Sequence, residues 1–213
     1  NAGPTHEHID PVRFLGNNSS GKMGAALAAA ARDLGASVHL VLGPTQATLD
    51  LHGIQVSRIT SADEMLAAML SDFAQSNLTI CTAAVSDYKP ASRSQHKIKK
   101  TDEGQSMVIS LEKTPDILQT LGAQENRKGY LVGFALETRD GEVYAKDKLA
   151  RKNADAIVLN TLGKEGVGFE GDTNEVTVYT AGGKTFSFPL TSKITLGKSL
   201  LELFMNEFNL TNA

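Results

Sequence analysis

The sequence has little of several features that would place a protein in a special class. Its single cysteine, Cys81, allows no disulfide bond within the chain, which favours a reducing compartment. It has no tryptophan, and no apolar run reaches the roughly 18 residues of a membrane-spanning helix. The net charge of -3 provides no general attraction to nucleic acid or to an anionic membrane. We therefore predict a cytoplasmic protein that binds neither nucleic acid nor membrane.

What the sequence does contain is a regular alternation of strand and helix patterns. With 213 residues, 41 % of them hydrophobic, the chain is long enough for a substantial core, and we predict a single domain over residues 1–213. The alternation predicts an α/β fold with a Rossmann-like, doubly wound, mainly parallel sheet, followed by a C-terminal β-hairpin and a closing helix. The predicted helices are 21–34, one that starts at Ser61, 114–124, 142–152 and 192–208, and the predicted strands are 38–42, 54–59, 78–84, 107–111, 130–135, 156–159, 176–180 and 185–189.

Local signals indicate where helices begin and where a ligand site is expected. Ser61 and Glu64 have the spacing of a capping box, and Thr114 followed by Pro115 predicts an N-cap and a first helical residue. Residues 89–104 form the one long polar and basic segment, which we predict to be a mobile flap. Ligands of doubly wound sheets bind at the carboxyl ends of the strands, so the loops there are candidates for a site.

The first candidate for anion binding is the segment 16–22 (GNNSSGK), which matches the start of a phosphate-binding P-loop. The next position should be Ser or Thr, because that hydroxyl holds magnesium, but it is Met23, which disfavours a true P-loop NTPase. Small polar residues that lead into a helix still present free N–H groups and the helix dipole to an anion. An ordinary Ser/Gly helix cap is the alternative, and the segment taken alone fits it better.

Charged side chains provide further candidates, each with a structural alternative. Lys148 and Lys152 lie one turn apart on a predicted helix, where they either grip a polyphosphate or form an ordinary solvated face. Asp87 follows a predicted strand, where a carboxylate suits a ribose, a base amine or a metal, or else caps a turn.

Three other patterns are interpreted as structural or as absent. The segment 6–8 (HEH) has no supporting Cys or Asp cluster, so we interpret it as a surface turn rather than a metal site. Cys81 lies in an apolar strand and is interpreted as a buried small hydrophobic residue rather than a nucleophile. No Ser-His-Asp arrangement is recognisable in the sequence.

Taken in order, the motifs are similar to those of the phosphopantothenoylcysteine synthetases (phosphopantothenate–cysteine ligases). Each motif is weak alone, but their common order over essentially the whole chain argues against a chance match. The matching segments are AGPT (2–5), IDPVRF (9–14), Asn17 with SSGKMG (19–24), TAAVSDY (82–88), KIKK (97–100), KTPDIL (113–118), GFALET (133–138), AKDKLARKN (145–153), and GF (168–169) with Asp172 and Asn174.

The resemblance implies a ligase of coenzyme A biosynthesis that joins 4'-phosphopantothenate to L-cysteine. In bacterial members, the carboxylate of phosphopantothenate attacks the α-phosphate of CTP, pyrophosphate leaves, and the amine of cysteine then attacks the acyl-cytidylate and releases CMP. Mg²⁺ assists. Side chains alone do not decide between CTP and ATP. The resemblance also implies a homodimer and fusion behind a flavin-dependent decarboxylase domain, to which the FMN cofactor belongs.

The resemblance also assigns roles to individual positions. Lys97, on the flap, would neutralise charge on CTP as the acyl-nucleotide forms. Asn17 would contact the acyl group, with Asn18 as the alternative if the loop shifts by one residue. Arg13 and Ala84 would bind phosphopantothenate. The other positions assigned to CTP are Ala83, Asp87, Pro115, Asp116, Ile117, Leu118, Phe134, Lys148 and Lys152, and no metal ligand or role for Asp172 and Asn174 is assigned.

Two other classes of protein share a doubly wound fold. An NAD(P)-binding oxidoreductase would need G-x-G-x-x-G after the first strand, and the segment 2–5 (AGPT) does not provide it. A non-catalytic nucleotide-binding domain would bind the nucleotide but release no pyrophosphate.

Overall fold

The computed structural model describes residues 1–99, 106–125, 127–137, 141–161 and 171–210. Its strands are β1 (His6–His8), β2 (Phe14–Gly16), β3 (His39–Leu42), β4 (Gln55–Arg58), β5 (Leu78–Cys81), β6 (Tyr88–Pro90), β7 (Leu111–Lys113), β8 (Tyr130–Glu137), β9 (Ala156–Thr161), β10 (Thr173–Thr180) and β11 (Thr185–Ser192). Its helices are α1 (Lys22–Asp33), α2 (Ala62–Phe73), α3 (Ile117–Gly122), α4 (Gly141–Arg151) and α5 (Lys193–Glu207). The predicted α/β class, C-terminal hairpin and closing helix are confirmed.

The central sheet is mixed, and residues 1–4 join its parallel strands to a second parallel pair. Its hydrogen-bonded order is β11-β10-β9-β8-β5, in which β5, β8 and β9 are parallel and the hairpin strands are antiparallel. β3 and β4 form a separate parallel pair. Residues 1–4 connect the two, because Ala2 forms a parallel bridge with Leu42 and Pro4 forms one with Ala84.

This strand order explains where a ligand site is expected. Across the sheet the order is β4, β3, residues 1–4, β5, β8 and β9. After residues 1–4 the chain adds β3 and β4 on one side of them, and it then adds β5, β8 and β9 on the other side. Dinucleotide-binding folds show the same reversal, and their ligands bind in the crevice beside it. Here the reversal lies between residues 1–4 and β5.

Helices cover both faces of the sheet because its central strands are apolar on both sides. Alternation along β9 directs Ile157 and Leu159 to one face and Ala156 and Val158 to the other. The first face is covered by α2, α3 and α4, and the second by α1 and α5. Two core clusters therefore fix the strand ends on which the site is built.

The first helix lies within one residue of its predicted bounds, and the second begins directly after its predicted cap. Gly21, at φ 72°, precedes α1, and Gly35, at φ 86°, follows it, in the left-handed conformation that glycine adopts most readily. The capping box of α2 is confirmed: the Glu64 N–H donates to Ser61 Oγ (3.3 Å), and the Ser61 N–H donates to Glu64 Oε2 (3.4 Å).

The predicted N-cap of α3 is wrong. The helix starts after Asp116, whose Oδ1 accepts a hydrogen bond from the Gln119 N–H (2.9 Å). The Thr114 hydroxyl donates instead to the Ser86 carbonyl, which ties the chain before α3 to the loop after β5. A carboxylate is the stronger acceptor for helix N–H groups, and Thr114 is already engaged elsewhere.

Two further predictions are corrected by the structure. Residues 106–110 form no strand, and β7 begins at Leu111, where pairing with β6 becomes available. The segment 6–8 is not a surface turn but strand β1, paired with β2. Glu7 is buried, and its carboxylate accepts the N–H of Ala62 at the start of α2 (2.9 Å), where the helix dipole favours negative charge.

Some predictions fall on parts of the chain outside the described residues. Residues 100–104 of the predicted flap lie outside them, as do Thr138 and the motif at 168–169. In the part of the chain that is described, no helix is long and apolar enough to cross a membrane.

Candidate functional site

A cavity of about 600 Å³ opens at the carboxyl ends of β5 and β8, beside the reversal of strand order. Its volume suits a small-molecule ligand. Eleven of the positions that the family resemblance singled out line this one cavity. They are Asn17, Ala83, Ala84, Asp87, Pro115, Asp116, Ile117, Leu118, Phe134, Lys148 and Lys152.

Small residues let the start of α3 approach the sheet at this cavity. A β-carbon at Gly133 would lie 2.5 Å from Leu118 Cδ2 and 2.9 Å from Ile157 Cδ1, closer than side chains pack. Because Leu118 belongs to the first turn of α3, Gly133 on β8 sets the distance between that turn and the sheet. The glycine of the GFALET motif therefore shapes one wall of the cavity.

The amide of Asn17 is held against the loop after β5. Its Nδ2 donates to the carbonyls of Ala84 (3.2 Å) and Val85 (3.1 Å). Asn17 lines the cavity, whereas Asn18 lines neither of the two cavities. The geometry favours Asn17 over Asn18 for a contact with a ligand.

Lys148 brings a partly desolvated ammonium group to the cavity. Its Nζ donates to the Phe134 carbonyl (3.0 Å). Burial lowers the pKa of Lys148, against the opposing charges of Asp116 and Glu137. A phosphate that entered the cavity would therefore compensate a cation that the fold leaves unfavourably buried.

Lys152 is paired within the protein. It is buried, and its Nζ donates to Asp116 Oδ2 (2.5 Å) and to Gln119 Oε1 (3.0 Å). Burial alone would raise the pKa of Asp116, but the hydrogen bonds from Lys152 and from the Gln119 N–H hold it below its usual value. Asp116 thus caps α3 with one oxygen and fixes Lys152 with the other.

A second cavity, of about 130 Å³, adjoins the first and shares Ala83, Ala84 and Phe134 with it. The start of α1 forms one of its sides. Gly24 permits this close packing, because a β-carbon there would lie 2.4 Å from both Ala2 Cβ and Thr82 Oγ1. The segment that resembled a P-loop therefore lines a cavity next to the larger one.

Charged and amide groups at this second cavity include a residue that sequence reasoning missed. Lys193, the first residue of α5, is buried; burial and the nearby Lys22 lower its pKa, while Asp172 opposes them. Lys22 Nζ lies 2.7 Å from Asp172 Oδ1, and Asn174 Nδ2 donates to Asn160 Oδ1 (2.9 Å). Asp172 and Asn174 thus acquire structural partners. No sequence pattern marks Lys193, because its burial depends on tertiary packing.

Two of the predicted site residues lie elsewhere. Arg13 and Lys97 line neither of the two cavities in the described part of the chain. Arg13 Nη2 contacts Asp10 Oδ2 at 2.5 Å and donates to the Ile98 carbonyl (2.8 Å), and Lys97 is exposed beside Ile98. Their roles in substrate binding and catalysis stay predictions.

The structure brings one Ser, one His and one Asp together, although no such arrangement is recognisable in the sequence. His39 Nε2 lies 2.8 Å from Ser57 Oγ, and His39 Nδ1 lies 2.5 Å from Asp72 Oδ2. The three residues come from β3, β4 and α2, and their separation in sequence gives no sign of the contact. None of them lines either cavity, so we interpret the cluster as a link between the edge strands and α2.

Known proteins resemble this chain in sequence over nearly its full length. The family described as the DNA/pantothenate metabolism flavoprotein C-terminal domain matches residues 1–207. The Coenzyme A biosynthesis bifunctional protein CoaBC of Vibrio vulnificus (strain CMCP6) is 42 % identical over 94 % of this chain and 50 % of that protein. Its namesake from Bacillus subtilis (strain 168) is 45 % identical over 94 % of this chain and 49 % of that protein. The chain thus spans about half the length of these curated relatives.

A solved structure is similar as well. The crystal structure of the C-terminal domain of Coenzyme A biosynthesis bifunctional protein CoaBC matches with a TM-score of 0.81 and 40 % identity, over 98 % of this chain and 93 % of that chain. The resemblance inferred from the ordered motifs is thereby confirmed. This chain belongs to the family of the DNA/pantothenate metabolism flavoprotein C-terminal domain.

Proposed function

We propose that this chain is a phosphopantothenate–cysteine ligase, which joins 4'-phosphopantothenate and L-cysteine in coenzyme A biosynthesis with CTP as cosubstrate. The observation that carries the proposal is the larger cavity, where residues from separate ordered motifs face one space at the reversal of strand order. Bifunctional coenzyme A biosynthesis proteins are among the relatives, and a C-terminal domain of one shares the fold at 40 % identity.

The triphosphate of CTP would bind between the start of α3 and the lysines of α4. Lys148 contributes an ammonium group that burial disfavours without an anion, which gives a charged ligand an advantage over a neutral one. Lys152 is held beside it by Asp116. Asp87 and Phe134 line the same cavity and would contact the sugar and base.

The carboxylic acid would meet the α-phosphate near Asn17. In the first step, a carboxylate oxygen of phosphopantothenate forms a bond to the α-phosphorus, and the bond from that phosphorus to the pyrophosphate oxygen breaks. In the second, the cysteine amine attacks the acyl carbon, the bond to the CMP oxygen breaks, and the nitrogen loses a proton. Lys97 would stabilise charge in the first step and the Asn17 amide would orient the acyl group in the second.

Two adjoining cavities suit a reaction with more than one substrate. The smaller one meets the larger at Ala83, Ala84 and Phe134, so a chain that extends from the acyl group has a continuous path past the start of α1. The mixed anhydride must be protected from water between the two steps. The adjoining cavities leave room for the acyl group beside Asn17, which lines the larger one.

Mg²⁺ is proposed to arrive with the nucleotide. Among the described residues, no cluster of three His, Cys, Asp or Glu side chains forms a ready metal site. Mg²⁺ usually binds through one or two carboxylates, water and substrate phosphates, so such a cluster is not required. The steps above depend only on the protein side chains named in them.

We also propose the setting in which the chain works. It would act in the cytoplasm as a homodimer, fused behind a flavin-dependent decarboxylase domain that carries the FMN. The span of about half of each bifunctional relative supports the fusion.

The test is release of pyrophosphate on mixing the protein with Mg²⁺, phosphopantothenate and either CTP or ATP. We expect release that requires phosphopantothenate and is faster with CTP. Binding of CTP without pyrophosphate would contradict the ligase and indicate a nucleotide-binding domain. Faster release with ATP would overturn only the choice of nucleotide.

Paired substitutions test the two catalytic assignments. We expect Asn17→Asp to release pyrophosphate yet form little amide product, because its carboxylate repels the acyl-cytidylate, whereas Asn18→Asp turns over normally. Lys97→Gln should lose the first step, and Lys99→Gln, two positions along, should keep it. Full turnover in Asn17→Asp or normal pyrophosphate release in Lys97→Gln would remove the role from that residue.

A further inference from the structure

The carboxylate of Asp10 connects the turn between β1 and β2 to the segment around Ile98. Asp10 is completely buried, and its two oxygens receive five hydrogen bonds. Oδ1 accepts the N–H groups of Val12 (2.8 Å) and Arg13 (2.8 Å). Oδ2 accepts Arg13 Nε (3.0 Å), Arg13 Nη2 (2.5 Å) and the Ile98 N–H (3.1 Å).

The two oxygens of Asp10 perform different tasks. Oδ1 closes the turn between β1 and β2, a local interaction that an asparagine side chain also makes in turns. Among the described residues, Oδ2 contacts only the guanidinium group of Arg13 and the distant Ile98. The turn by itself therefore needs one oxygen, and the second serves the connection to the segment around Ile98.

The hydrogen bonds to Asp10 account for the burial of its charge. The hydrogen bonds from Arg13 hold the pKa of Asp10 well below its usual range, so the group is an anion at neutral pH. Burying an anion is costly unless every lone pair is satisfied. Asp50 provides a comparison, because it also pairs with an arginine, Arg32, and accepts a backbone N–H, that of His52. Its side chain, however, is 64 % exposed and lies in a surface loop.

The segment that Asp10 contacts carries Lys97. Upstream of Lys97, the Ser94 N–H donates to the Ile9 carbonyl (2.9 Å). Downstream, both backbone groups of Ile98 are engaged, the N–H by Asp10 and the carbonyl by Arg13 Nη2 (2.8 Å). Lys97 is therefore bracketed by hydrogen bonds to the turn between β1 and β2.

The other arm of the same turn carries Asn17. β2 runs from this turn to Gly16, and the next residue is Asn17, whose amide is held by the carbonyls of Ala84 and Val85. We propose that Asp10 is a positioning residue, which holds the segment that carries Lys97 in a fixed position relative to Asn17. The inference rests on the proposed ligase function and names a residue to which that function assigns no role.

The variant Asp10→Asn separates the two oxygens. Its amide oxygen still closes the turn, but its NH₂ group faces the Ile98 N–H and the Arg13 guanidinium, so donors oppose donors. We expect kcat for CTP-dependent pyrophosphate release to fall roughly ten- to a hundredfold, because small misplacements of a catalytic group have effects of this size. The affinity for CTP should change little, since Asp10 lines neither cavity described above. The matched control Asp50→Asn should retain wild-type kcat.

A double-mutant cycle distinguishes positioning from general destabilisation. If Asp10 acts through Lys97, the double variant Asp10→Asn/Lys97→Gln should have the same residual first-step rate as Lys97→Gln alone, measured in single turnover with excess protein. Multiplicative losses, or wild-type kcat in a folded Asp10→Asn protein, would overturn the proposal. If Asp10→Asn fails to fold, Asp10→Ser keeps a hydroxyl that can close the turn but lacks the second oxygen that binds Arg13 and Ile98, and the same comparison applies.

Amide hydrogen exchange gives a readout that does not need activity. In Asp10→Asn the Ile98 amide should exchange faster than in the wild type, while the Ala62 amide on Glu7 should be unchanged. Equal Ile98 exchange in both proteins would refute the positioning role. If Ile98 exchanges faster in Asp10→Asn but the wild type itself releases no pyrophosphate, the ordering exists and the ligase assignment is at fault.

Discussion

Substituting Asp116 separates two contributions of one side chain. Its Oδ1 caps α3 through the Gln119 N–H at 2.9 Å, and its Oδ2 binds the Lys152 ammonium at 2.5 Å. Asp116→Asn keeps an oxygen for the cap but loses the negative charge beside Lys152. Asp116→Ala loses both.

The structure sets the size of each loss. A missing N-cap costs about 1 kcal/mol. Breaking a fully buried ion pair costs about 3–5 kcal/mol, and an exposed pair contributes about 0–1 kcal/mol. Here the Lys152 side chain is 9 % exposed and that of Asp116 is 49 % exposed, so the carboxylate is partly screened by water. We therefore expect a loss of about 1–2 kcal/mol for Asp116→Asn and about 2–3 kcal/mol for Asp116→Ala.

Urea unfolding at neutral pH measures both losses, and thermal melting gives a second reading. For a chain of this size each kcal/mol lowers Tm by about 2–4 °C. Ser61→Ala, which removes the cap of α2 and no ion pair near the cavity, is the matched control, with an expected loss of about 1 kcal/mol. Under the proposed function, Asp116→Asn should also bind CTP more tightly, because a negative charge beside the triphosphate is removed.

Two results would contradict these expected losses for Asp116. If Asp116→Asn and Asp116→Ala are equally destabilised, the oxygen of Asn does not replace the cap, and the division between the two oxygens is wrong. If Asp116→Asn is as stable as the wild type, the pair with Lys152 contributes nothing to the free energy of unfolding.

Three further substitutions test other parts of the structure. Lys148→Met should stabilise the ligand-free protein and weaken CTP binding, as measured by thermal melting with and without CTP. Burial lowers the pKa of Lys148 in the folded protein, so the stability of the wild type should rise as the pH increases above that pKa. This rise should be absent in Lys148→Met. Gly24→Ala should cost about 1–3 kcal/mol in urea unfolding, because its β-carbon would lie 2.4 Å from Thr82 Oγ1. The stability lost in Asp10→Asn should be full above pH of about 4, the unfolded pKa, and should shrink as pH falls towards the lowered folded pKa, measured as urea midpoints across pH.

Periodic patterns and ordered motifs were enough to predict the class of fold and the family. Alternating apolar runs reflect strands buried on both faces, and a capping box such as that of Ser61 and Glu64 acts over one turn of helix. Both signals are local in sequence. The same motifs identified most of the residues that line the larger cavity, because residues at the carboxyl ends of parallel strands must meet at one edge.

Partnerships across the sheet were decided only by the tertiary structure. The true cap of α3 emerged because Thr114 is engaged by Ser86, and Glu7 became buried because the start of α2 lies above it. Lys193 gained its place at a cavity wall in the same way. One of the five hydrogen bonds to Asp10 comes from the Ile98 N–H, and no spacing rule connects residues 10 and 98. Local sequence specifies helices and strands through interactions within a few residues, whereas the environment of each charged group depends on which distant segments fold against it.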